Sequence, residues 1–206
     1  MKFTNRVSGI AAAALLAAAA FTLADEPKAK KASAAPMDEK AAMEAMTKAS
    51  TPGESHKKLE ALAGKWDVKV SSWMAPGKPP MESTGKSEAK MTLGGRFLEE
   101  HFEGTFMGQP FTGMGYTGYD NVQKKYVGTW MDSMSTGVMA SSGKMGADGK
   151  SFDMTGAMSD PMSGKMTTVK EKLMVTDADH HTFEMWGAGP DGKNFKMMEI
   201  VYTRAK

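Results

Sequence analysis

The sequence predicts an all-β fold, an antiparallel up-and-down closed barrel of about ten strands behind two short N-terminal helices. Three observations predict it. From Gly64 onward the chain is an unbroken series of short alternating segments with no helical period. Turn residues separate these segments at short intervals, so neighbours pair as a meander. No segment reads as a loose edge strand, which points to a sheet closed on itself.

The elements follow in order. Lys2 and Arg6 precede an apolar, Ala-rich run from Val7 to Leu23, and Thr22-Leu23-Ala24 offers small residues for cleavage. Residues 1–24 therefore read as a signal peptide, with the mature chain starting at Asp25. The run is too short and too soon followed by charge for a stable membrane span, and without Cys there is no lipid-anchor site. The expected location is periplasmic or secreted. Residues 25–35 are rich in Lys, Ala and Pro, the composition of a flexible leader. Residues 36–206 form one domain, with helices within 37–63 and strands within 64–204. Met37, Ala41, Ala45 and Ala49 recur every four residues, as on one face of a helix. Thr51-Pro52-Gly53-Glu54 reads as the start of a second, with Thr51 at the cap and Glu54 closing a capping box. Gly64 stops it.

The first strand sets Trp66, Val68, Val70 and Met74 against Lys65, Asp67 and Lys69, a half-buried alternation. Ser83–Leu93, Arg96–Met107, Phe111–Tyr119, Tyr126–Asp132, Val138–Met145 and Phe152–Met158 follow, then Thr167–Val175, Thr182–Gly187 and Phe195–Thr203. Asp148-Gly149 and Asp191-Gly192 read as type I′ hairpin turns.

Charge and composition exclude several classes. Taking Lys2 and Arg6 from 26 basic residues leaves the rest in balance with 24 acidic ones, so no nucleic-acid or anionic-membrane partner is expected. The absence of Cys removes disulfides, thiolate zinc sites and thiol catalysis. No His-Glu-x-x-His or Gly-x-Ser-x-Gly occurs, and Gly149-Lys150-Ser151 lies between strands, not before a helix. His180 and His181 are adjacent on a strand and point to opposite faces. His101 likewise faces away from Glu100, so no acid–His pair converges there. No catalytic residue and no cofactor is expected.

Carboxylates in register with apolar positions carry the binding reading. Glu100 sits between Leu98 and Phe102, and Asp132 shares a face with Tyr126 and Trp130. Glu171 lies between Val169 and Leu173, and Glu199 between Met197 and Val201. If these faces point inward, Glu100, Phe102, Tyr126, Trp130, Asp132, Glu171, Trp186 and Glu199, with Arg96 as a cationic partner, line a lumen that takes a small, partly apolar molecule. The alternative is a structural ion-pair network in a filled barrel, with any function on the outer envelope surface. Methionine gives a second reading. Of 21 Met, Met154, Met158, Met162 and Met166 recur every four residues, and thioethers suit Cu(I) or scavenge oxidant. Met also replaces Leu as core filler, which its spread over all strands favours.

One ordered set of motifs goes further. Thr51-Pro52-Gly53-Glu54, His56, Gly64-x-Trp66 and Gly94-Gly95-Arg96-Phe97-Leu98 are followed by Gly118-Tyr119-Asp120, Lys125-Tyr126, Trp130-x-Asp132-Ser133 and Glu199-Ile200-x-Tyr202-x-Arg204. This set resembles a bacterial domain-of-unknown-function family of exported, lipocalin-like (calycin-type) β-barrels. The resemblance implies a barrel whose first strand opens at Gly-x-Trp beside a helical plug. It implies no activity and no catalytic residue. Related haem-binding barrels open with a second glycine, where this chain has Lys69.

Overall fold

The computed structural model describes residues 38–161, 163–189 and 191–206. The expected signal peptide and leader, and Met162, lie outside the described residues. Those from Asp38 to Lys206 form one compact unit.

Helix α1 spans Glu39–Ser50, a run of strong helix formers. None of its residues is buried, and Met43 and Met46 face solvent. Its C-terminal carbonyls, left free by the helix geometry, are bonded from the barrel instead. The Asn121 amide donates to the carbonyls of Lys48, Ala49 and Thr51, and Arg96 Nε donates to that of Ser50 at 3.0 Å. Helix α2, Glu54–Lys57, runs directly into a 3-10 turn over Lys58–Leu62. Its cap differs from expectation. Gly53 is the N-cap, and His56 Nδ1 accepts the Gly53 N–H at 3.0 Å. The imidazole takes the part expected of Glu54, which instead pairs with Lys57 in solvent.

Ten strands follow: β1 Gly64–Ser72, β2 Met81–Thr92, β3 Phe97–Phe106, β4 Gln109–Asp120, β5 Lys125–Asp132, β6 Met139–Met145, β7 Ser151–Asp160, β8 Lys165–Val175, β9 His180–Ala188 and β10 Asn194–Arg204. Each pairs antiparallel with its sequence neighbours, and β1 pairs with β10, which closes the barrel. Short tight connections make this meander. The two-residue I′ turn lies at Met107-Gly108, where φ is 50° and 76° and Phe106 pairs with Gln109. At the two expected Asp-Gly sites only the glycine has positive φ. Asp148 Oδ1 instead accepts the backbone N–H groups of Lys150 and Ser151, which makes a longer loop held by an aspartate.

The helical segment plugs one mouth. Leu59 and Leu62 are buried against Ala89, Leu98, Tyr126 and Phe152, which form the barrel floor. Burying each leucine contributes about 1.5–3 kcal/mol. Tyr126 is held there by its hydroxyl, which donates to the Ser55 carbonyl at 3.0 Å. Trp66 is fixed at the same end by an indole N–H donated to Leu62 O at 3.0 Å.

The seam between the first and last strands meets at this floor. Trp66 pairs with Arg204, whose guanidinium lies 4.2 Å from the Trp66 ring centre. Arg204 also donates to the carbonyls of Ala178 and Ala63 and pairs with Asp179 at 3.2 Å. Gly64 has φ 143°, and a Cβ there would run into the guanidinium. The Gly-x-Trp opening and the closing Arg204 are thus one interlocked unit.

Candidate functional site

Strand pairing fixes which residues face the interior. Ser87, Glu100, Gly115, Trp130 and Met139 belong to the inward set on β2 to β6. Met154, Glu171, Met185, Met198 and Tyr202 continue it on β7 to β10. A second buried cluster above the floor joins Trp66, Val68, Val70, Phe102 and Tyr202, with Phe111, Trp130, Phe183, Met198 and Ile200 against it.

Glycines shape this interior. A Cβ at Gly113 would strike the Trp130 ring, and one at Gly115 would lie 2.9 Å from its edge. Cβ atoms at Gly85 and Gly104 would meet the Phe102 ring at 2.5 and 2.9 Å. The large rings therefore lie flat along the wall over glycine positions of the same or the neighbouring strand.

Two carboxyls stand on opposite parts of this wall. Glu100 Oε1 accepts the Ser87 hydroxyl at 2.7 Å, and the Tyr202 hydroxyl also bonds the carboxyl. Glu100 is half-buried on the inner face of the wall. Burial pushes its pKa up, against the smaller opposing pull of Ser87 and Tyr202. The Tyr202 hydroxyl is in turn pushed well above the phenol range by burial and by Glu100.

Glu171 is 7% exposed, and its Oε1 has no hydrogen-bond partner. That oxygen lies 2.9 Å from where a Cβ at Gly156 would sit, so the glycine makes room for the carboxyl. Burial raises its pKa, and Ser141 opposes this more weakly. His181 stacks on Tyr202 at 4.1 Å and meets Trp66 edge-on at 4.3 Å. Its Nδ1 is buried without a partner, and burial, reinforced by Arg204, lowers its pKa to about 4.

The residues expected to line the lumen divide. Glu100, Phe102, Trp130, Asp132 and Glu171 face inward. Asp132 lies toward the mouth opposite the plug and accepts the Trp130 indole N–H at 3.1 Å. Tyr126 is a floor residue, 2% exposed. Arg96 is outside, where it donates to the Ser50 and Leu93 carbonyls and secures α1 instead of a lumen acid.

Glu199 and Trp186 are also outside. Glu199 pairs with Glu184, while Met198, Ile200 and Tyr202 turn inward beyond a bulge between Lys196 and Met198. On the outer wall Lys196 bonds Glu184 at 2.6 Å, contacts Glu199 and lies 5.5 Å from the Trp186 ring centre. The methionine series is not brought together either. Met154 and Met158 share the inward register, whereas Met166 is 63% exposed on the opposite face. Ser87, Ser141, His181 and Tyr202 escaped the sequence reading. His181 had a signal, since one of two adjacent histidines on a strand must face in.

Residues 51–204 match the profile of a family described as "Protein of unknown function (DUF1579)". The chain belongs to this family. No curated protein matches it in sequence. Its fold is similar to that of Rv2717c from M. tuberculosis, with a TM-score of 0.56 at 14% identity, over 76% of this chain and 100% of that one. A redesigned β-barrel, mFAP1 bound to DFHBI, aligns at a TM-score of 0.39 and 14% identity, over 71% of this chain and 98% of the other. At such identities the likeness concerns the barrel alone. Among the described residues no helix is long and apolar enough to cross a membrane, and no three His, Asp or Glu side chains gather as a metal shell.

Proposed function

We propose that this DUF1579 member binds a small, partly apolar molecule in the barrel lumen, non-covalently and without chemistry, as lipocalin-like barrels use their interior. The observation that carries the reading is the Glu171 carboxyl, inward-facing and buried with one oxygen unpaired. A buried polar atom without a partner costs about 1–3 kcal/mol, and a ligand donor would repay it. Flat Trp130 and Phe102 rings with Met154 and Met185 supply the apolar walls. The reading includes export through the signal segment 1–24, after which the mature chain begins at Asp25.

Native mass spectrometry of protein purified gently from its own cell envelope, without chelator, tests both parts. The expected result is a mass starting at Asp25 plus an organic adduct lost on denaturation. A bare mass in every preparation would sink the lumen reading, and copper-sized increments would move the function to methionine.

A further inference from the structure

The charge on the lumen wall is mostly of one sign. Its inward-facing acidic and basic groups are Glu100, Asp132 and Glu171, the neutral His181, Arg204 at the floor and, at the open end, Asp160 and Lys165. Arg204 is already engaged by Asp179, two carbonyls and the Trp66 face. One lysine of the described strands lies in the inward register, Lys165, which pairs across the strands with Asp160 and is exposed at the open end of β8. Inside the Asp160–Lys165 pair the lumen thus holds three acids and no free base, and one of the acids keeps a buried oxygen without a donor.

Resting on the lumen-binding reading, we infer that the ligand is an organic cation, a protonated amine carried on an apolar body. Glu171 takes the ammonium: its unpaired Oε1 lies over the inward-facing Gly156 position and needs a donor. Glu100, held by Ser87 and Tyr202, supplies a second negative centre. The Trp130 and Phe102 faces add cation–π attraction and cover the apolar body. An inorganic cation is a poor match, because no three His, Asp or Glu side chains converge among the described residues. An anion meets Glu100, Asp132 and Glu171, with Lys165 exposed at the open end across from Asp160.

Three probes of one shape test the class: 4-phenylbutylamine, 4-phenylbutanol and 4-phenylbutyrate, titrated calorimetrically at neutral pH into the mature protein. The amine is expected to bind at least about tenfold tighter than the alcohol, the worth of one charge-assisted hydrogen bond, and the butyrate weakest. In Glu171→Gln that preference falls severalfold while alcohol binding stays, and Glu100→Gln shows a smaller loss. Near-UV circular dichroism checks that both variants keep the barrel. Equal affinity for amine and alcohol in the unaltered protein overturns the cation assignment and leaves the lumen reading standing. An amine preference untouched by both variants also overturns it, since the site would then be a surface carboxylate. If none of the three binds, the cation assignment and the lumen reading fall together.

Discussion

Between pH 6.5 and about 4, the side chain of His181 works against the fold. The unfolded chain takes up a proton near 6.5, whereas the buried ring, wedged between Trp66 and Tyr202, resists until about 4. Stability therefore declines as pH falls through this window, by up to about 3 kcal/mol. His181→Phe, which keeps a ring in the slot, is expected to flatten this part of a denaturant-midpoint-versus-pH curve. Glu171 acts with the opposite sign. Its raised pKa keeps it protonated in the fold above the pH at which the unfolded carboxyl ionises, so stability falls as pH rises past 4.5. Glu171→Gln should therefore raise the melting temperature more at pH 8 than at pH 4. A uniform gain would mean that the carboxyl is not desolvated. At this scale the sequence showed which faces carry acids. It could not show that Ser87 and Tyr202 meet Glu100, because three different strands supply that contact.

Alternation in the elements from β3 to β8 was legible because no extra residue interrupts their period of two, and Glu100, Phe102, Trp130, Asp132 and Glu171 came out on one face. In β10 a single irregularity after Lys196 reversed the reading, which sent Glu199 to the outer wall. Composition carries no mark of such a bulge; here Met197 lies against Gly187 across the strand pair. The helix cap was misread for a related reason: Thr51 and Glu54 have the right chemistry, but the turn begins at Gly53 and His56 reaches back. Two glycines give tests. Gly64→Ala places a Cβ against Arg204 at a φ of 143° and is expected to cost about 1–3 kcal/mol by chemical denaturation. Gly113→Ala pushes the Trp130 ring off the wall toward the axis, so it should weaken lumen binding more than tenfold in the amine titration while the barrel still folds. If affinity is unchanged, Trp130 does not border the ligand.

At the scale of the barrel, every pair among the described strands but one joins sequence neighbours, the exception being β1 with β10. The fold is therefore nearly indifferent to where the chain is cut. A circular permutant joining the C-terminus to Gly64 through a short Gly/Ser linker carrying the plug segment, and opened at Asp148-Gly149, should keep the far-UV and near-UV spectra of the parent. A molten spectrum would show that the plug needs its native attachment. The closed ring was legible as a class from strand number and the missing edge; its seam was not, since Arg204 over Trp66 depends on strands from opposite ends of the sequence. That same seam governs synthesis on the ribosome. β1 leaves the exit tunnel first and its second partner leaves last, so through most of translation one side of Trp66, Val68 and Val70 has no strand beside it. A nascent chain arrested before Asn194 carries a sticky, unzipped border that a chaperone must cover or a protease will find, and only the last eleven strand residues remove it.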